Sequence, residues 1–186
     1  MFPRILPLLL LVCLSCGSSE KTNNSSIRSS DTLRGVDPAR FIGDAIRSDT
    51  STAIITLERT ACFGTCPLYT LAIYEDGTVI YNGLRFVREM GLRVANIGTE
   101  TVEDLFANAR RISYTSLSER YDGTATDPAP TDLPSAITSV RFGDAHKIVH
   151  DYWGAPQQLR KFERRIDELT RVERWLGDVR YIDGDR

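Results

Sequence analysis

The chain has 186 residues, and its 23 basic and 25 acidic side chains leave a formal net charge of -2. With 41% hydrophobic residues it can build one modest core, and no Lys/Arg run stands clear of the acids. The electrostatic footprint of a nucleic-acid binder is missing, so nucleic acid is excluded as a partner.

Arg4 precedes the apolar run "ILPLLLLVCLSC", which has the length of a signal-peptide core and falls short of the roughly 20 apolar residues a membrane-spanning helix needs. Residues 1–15 therefore read as a signal peptide and the chain as exported. Leu14 and Ser15 before Cys16 resemble the acceptor site of a bacterial lipoprotein signal, with Cys13 where that motif usually has Leu. Lipid on Cys16 would hold the protein at a membrane of the cell envelope, each buried methylene contributing about 0.8 kcal/mol. The competing reading is an ordinary secretory signal cut nearby, which would release the protein. Residues 16–50 follow as a tether, because "GSSEKTNNSSIRSSDTLRG" has too few apolar side chains to offset the entropy of ordering. A short helix is expected inside "VDPARFIGDAIRS", with Asp37 as cap, Pro38 first, and Phe41, Ile42, Ala45 and Ile46 on one side.

Residues 51–180 have the size of a single domain, with 181–186 as a tail. "TAIITLER" is β-branched and suits a strand. "PLYTLAIY" alternates, with Tyr69, Leu71 and Ile73 on one face and Leu68, Thr70, Ala72 and Tyr74 on the other. Asp76-Gly77 predicts a tight turn with two positive-φ positions, and "TVIYNG" returns as the partner strand. A less regular strand is expected around "LRVANIG". Thr99 can cap a helix over "ETVEDLFANARR", whose acids sit at the positive end and Arg110 and Arg111 at the negative end of the dipole, with Val102, Leu105, Phe106, Ala109 and Ile112 as the buried stripe. "AITSVRF", "GDA" and "HKIVHDYW" predict a second hairpin. Pro156 then opens a long helix with Leu159, Phe162, Ile166, Leu169, Val172 and Leu176 on one stripe. The order predicts an α+β domain: a mainly antiparallel sheet built from two β-hairpin regions, each followed by a helix, with the helices on one face.

Once Cys13 leaves with the signal and Cys16 carries lipid, Cys62 and Cys66 remain, and in an oxidising compartment they most simply form a disulfide. Gly64 gives the small ring its backbone freedom, and closing it contributes about 2 kcal/mol on the chain-entropy model. Two alternatives stay open. C-x-x-x-C followed by Pro resembles the copper signature of the thioredoxin-like proteins that deliver copper to respiratory oxidases, with His146 or His150 as a third ligand to Cu(I), although there the motif precedes a helix and here Pro67 leads into an alternating strand. The same pair can also serve thiol exchange. His146 and His150 lie on a predicted strand, roughly 13 Å apart, so they cannot share one ion.

Asp122, Asp127 and Asp132 lie in the aperiodic "RYDGTATDPAPTDLP" with spacing that does not match a calcium loop, and turn formation suits them better. No nucleophile elbow, zincin, P-loop or dinucleotide signature occurs. Glu58, Glu75 and Asp151 could act as acid or base only if folding paired them, so no catalytic residue and no cofactor is assigned.

"ERTACFGTCPLYTLAIYEDGTVIYNG", with "TDLPSAITSV" and "DYWGAPQQLRKFERRID", is similar to a bacterial domain-of-unknown-function family of small lipoproteins and secreted proteins, marked by C-F-G-x-C-P-x-Y followed by D-G-x-V-x-Y-x-G. The resemblance spans about residues 52–177 and implies a shared corner at Cys62, Phe63, Gly64, Cys66, Pro67, Tyr69, Asp76, Gly77 and Gly83, with no activity attached. Together these readings predict a lipid-anchored envelope protein, binding or structural in role, whose partner is a protein or a small molecule.

Overall fold

The structure is a computed structural model, and it describes residues 52–177. The signal, Cys16, the helix expected at 37–46 and the 181–186 tail lie outside the described residues.

Seven strands form one sheet: β1 (Ile55–Arg59), β2 (Leu68–Ile73), β3 (Thr78–Arg85), β4 (Gly91–Asn96), β5 (Arg120–Asp122), β6 (Ala136–Phe142) and β7 (Ala145–Trp153). Their spatial order is β4-β3-β2-β1-β6-β7-β5, and every pairing is antiparallel except β5 with β7. The strands expected as two separate hairpin regions thus join through β1, which pairs β2 on one side and β6 on the other. β5 comes from the aperiodic "RYDG" stretch; three residues are too few to show a period.

Register sorts the side chains. Ile55, Leu57 and Arg59 stand level with Ile73, Leu71 and Tyr69 on β2 and with Val140, Thr138 and Ala136 on β6, all on one face. That face is covered by α1 (Thr99–Arg111) and α2 (Gln157–Thr170), whose Val102, Leu105, Ala109, Leu159, Phe162 and Ile166 complete the core. The opposite face carries the cross-strand row Val94, Ile80, Ala72, Thr56, Ser139 and Ile148, with the two end residues exposed.

Three local expectations change. Only Gly77 of the Asp76-Gly77 pair has positive φ, at 83°, and Gly77 N donates to Tyr74 O at 3.0 Å. The turn is a three-residue loop, Glu75–Gly77, in which Asp76 accepts from Thr78 N at 2.9 Å instead of taking a left-handed conformation. The first helix is capped by Gly98 at φ 77° rather than by Thr99, which already lies in the helix. The long helix after Pro156 ends at Thr170, where Arg171 turns left-handed at φ 54°, and a separate short α3 (Glu173–Leu176) follows. α3 serves the other end of the sheet: Arg88 N and Glu89 N donate to Leu176 O and Trp175 O, and Trp175 stacks on Tyr81 at 4.7 Å.

Candidate functional site

The β1–β2 connection, residues 60–67, is held by a covalent bond and by hydrogen bonds to a second loop. Cys62 and Cys66 are joined by a disulfide with their Cα atoms 5.8 Å apart, as expected from the sequence. The N-terminal side of the ring is tied to the 123–135 loop: Phe63 N donates to Asp132 O at 3.0 Å and, just before the ring, Thr60 N to Ser135 O at 3.0 Å. The Thr60 and Ser135 hydroxyls lie 2.8 Å apart, and Ser135 Oγ meets His150 Nε2 at 3.0 Å. The 123–135 loop is itself braced, since Tyr152 Oη donates to Pro130 O and Trp153 Nε1 to Asp127 Oδ2 at 3.1 Å. With its backbone fixed in this way, the loop leaves Phe63 89% exposed.

Beneath the loop, the two residues that close the hairpin turn inward. Arg59 and Tyr69 are cross-strand partners, and both reach Asp167 on α2, Arg59 Nη2 at 2.6 Å and Tyr69 Oη at 2.7 Å. Arg59 Nη1 also lies 3.6 Å from Glu163, whose other carboxyl oxygen accepts from Thr138 Oγ1 at 3.2 Å. Glu163 is only 2% exposed, and burial pushes its carboxyl up to about 8 despite Arg59, with Asp151 and Asp167 adding to the rise. Two acids meet one guanidinium here: Asp167 takes the ion pair, and Glu163 holds a proton at neutral pH. Tyr114 completes the wall at 0% exposure, packed edge-on against Phe162, and burial raises its phenol well above the usual range.

Sequence reasoning missed Arg59, Glu163 and Asp167. A signal existed for the acids: Glu163 is one turn beyond Leu159 and three residues before Ile166, so it lies on the apolar stripe of α2, with Asp167 one turn further on.

The other residues considered from sequence do not converge. His146 and His150 both lie on β7, opposite Arg141 and Ile137, at the strand spacing anticipated. His150 sits between Ser135 and Arg120, and burial, then Arg120, lowers its pKa. Asp127 is engaged by Trp153, Asp122 lies 3.9 Å from Arg120, and Asp132 uses its carbonyl for Phe63. Glu58 lies on the opposite sheet face from Arg59, Glu75 is exposed in the β2–β3 turn, and Asp151 is buried beside Glu163. Among the described residues no group of three or more His, Cys, Asp and Glu is placed to hold a metal ion.

A family model described as a domain of unknown function, DUF6438, matches residues 53–170. The chain belongs to this family. The matched span contains the disulfide loop, the Arg59–Asp167 clamp and both helices that cover the sheet, so loop and clamp are parts of the DUF6438 domain itself. No curated protein matches the chain significantly.

Proposed function

We propose that this DUF6438 protein is a non-enzymatic binding domain of the bacterial cell envelope, anchored by lipid on Cys16, which displays the Cys62–Cys66 loop to a protein or small-molecule partner. The observation that carries the reading is Phe63, 89% exposed at the tip of a loop closed by a disulfide and hydrogen-bonded to its neighbour. An aromatic ring held out by a fixed backbone loses little conformational freedom when a pocket closes over it, which is how anchor residues of interfaces obtain their affinity. The acid with the most displaced proton affinity, Glu163, is meanwhile enclosed by Thr138 and Arg59 at 2% exposure, a place from which it holds the fold and meets no substrate. The export signal, the Cys16 acceptor and the polar tether support the location.

The test is site-specific photo-crosslinking in intact cells, with a photoreactive phenylalanine at position 63 and, as control, at Asp144 in the exposed β6–β7 turn. A discrete adduct at position 63 that disappears in the Cys62→Ser/Cys66→Ser background is the expected result. Equal labelling at 63 and 144 would refute the loop as the binding element. For the anchor, Cys16→Ser should move the protein from the membrane fraction to the soluble one; a serine variant still held after a high-salt wash would remove the lipoprotein reading.

A further inference from the structure

One face of the sheet is covered by α1 and α2, and among the described residues no helix lies on the other. Across that second face runs the row Val94, Ile80, Ala72, Thr56, Ser139 and Ile148, with large side chains toward its ends and small ones in the middle. Val94 and Ile148 are 45% and 50% exposed, whereas Ala72 and Ser139, short side chains on central strands, are 7% and 5% exposed. The row is thus a shallow apolar trough about 24 Å long, at the usual strand spacing. The Thr56 and Ser139 hydroxyls bond each other at 2.6 Å, so an apolar side chain can close over the middle without leaving either hydroxyl unpaired.

The chain supplies an apolar segment beside this trough. The helix expected at 37–46 gathers Phe41, Ile42, Ala45 and Ile46 on one side. A helix of that length is marginal in water by itself and needs a surface to order against. The core face is taken by α1 and α2, which leaves the trough. The undescribed chain ends just before Thr52, and Ile54 enters the sheet at its central strand, donating to Ile73 O at 2.9 Å and accepting from Arg141 N at 2.8 Å. Residues 47–51 can span up to about 18 Å, and Thr56 lies only about 13 Å along the strand from Thr52. The helix, about 15 Å long, fits within the row. We infer that residues 37–46 dock as a helix in this trough, with their apolar side over Ala72, Thr56 and Ser139 between Ile80 and Ile148. Attachment a few residues away gives the segment an effective concentration in the millimolar range, which a second copy of the chain would have to overcome. Docking closes the apolar face and leaves Phe63, beyond the opposite end of β1, as the displayed aromatic, so the inference does not depend on the role of that loop.

The experiment is photo-crosslinking of the full chain in intact cells, with a photoreactive phenylalanine at position 41 or, on the opposite side of the helix, at position 40. Adducts are sized and, after digestion, mapped by mass spectrometry. The expected result is an adduct within one chain that joins position 41 to the β1, β2 or β6 peptides carrying Thr56, Ala72 and Ser139, and is weaker from position 40. Ile42→Asp/Ile46→Asp should remove it, since each lost apolar side chain weakens docking about tenfold or more. Both substitutions lie outside the described domain, so its core stays intact. An adduct of twice the chain mass on the same strands would assign the trough to a second copy, and an adduct to another protein would assign it to that partner; either overturns the inference. Equal adducts from positions 40 and 41, an adduct elsewhere on the domain, no adduct within the chain, or one that survives Ile42→Asp/Ile46→Asp overturns it as well.

Discussion

β2 is six residues long and is flanked by two turns that are closed by different means. Its C-terminal turn, Glu75–Gly77, is closed by local hydrogen bonds with no covalent link: Tyr74 and Thr78 pair across it, the Asp76 carboxylate accepts from Thr78 N, Gly77 takes φ 83°, and the bare Cα of Gly77 lies against Gly98. Its N-terminal turn is closed covalently at Cys62–Cys66 and clamped from below by a carboxylate that is 108 residues away from Arg59 in the chain. A short turn with the right residues specifies itself. A longer one, left to itself, would sample many shapes, and the protein removes that freedom with one bond in the loop and one ion pair under it. The second arrangement leaves a side chain, Phe63, free to be displayed, and the first has nothing comparable to show.

The largest break in the comparison should come from the clamp. Arg59→Met leaves Asp167 partly buried and without its guanidinium, which costs about 3 to 5 kcal/mol in comparable interiors. Denaturant unfolding measures it, and a loss below about 1 kcal/mol would mean that the disulfide alone holds the corner. Next comes the glycine turn. A Cβ on Gly77 would sit 2.8 Å from the Gly98 backbone at a φ that L residues rarely adopt, so Gly77→Val should destabilise by about 3 kcal/mol, through clash as well as strain. Loss of the ring ranks third: Cys62→Ser/Cys66→Ser should cost about 2 kcal/mol, with the single Cys62→Ser equivalent because either change opens the same loop. Reduced protein that kept its stability and labelled rapidly at both thiols would shift the pair from staple to a redox or soft-metal role.

How much of this was legible in the sequence follows the same division. The alternation of Tyr69, Leu71 and Ile73, the stripe of Leu159, Phe162 and Ile166, and the cysteine pair are local signals, and the strand, the helix and the disulfide appear where those signals put them. Even local reading has limits: Asp-Gly indicated a turn, but its length depended on Tyr74 and Thr78 pairing across three residues. The clamp is a long-range product. Arg59, Tyr69 and Asp167 meet only because β1 and β2 pair in a particular register beneath α2, and no spacing along the chain encodes that meeting.

The finest probe of the two turns is pH. The folded protein holds a proton on Glu163 up to about 8, whereas the unfolded chain releases it near the ordinary value of 4.5. This group therefore stabilises the fold fully below the unfolded value, and that contribution is lost as the pH rises from there through 8. His150 works the other way: its folded pKa is lowered, so its contribution is lost as the pH falls through the ordinary histidine range. Comparing the wild type with Glu163→Gln separates the two, since the amide keeps an acceptor for Thr138 and cannot ionise. Between pH 5.5 and 8.5 the wild type should lose about 1 kcal/mol or more relative to the variant in urea unfolding. The loss should also be local. Glu163 and Asp167 share Arg59, so an ionised Glu163 competes with Asp167 for the guanidinium that holds the β1–β2 corner. Hydrogen-exchange protection at Thr60 and Phe63 should fall with pH in the wild type while that at Tyr74 and Gly77 stays level, and Glu163→Gln should abolish the difference. Equal pH responses at the two turns would mean that Glu163 acts on the core as a whole and not through the corner.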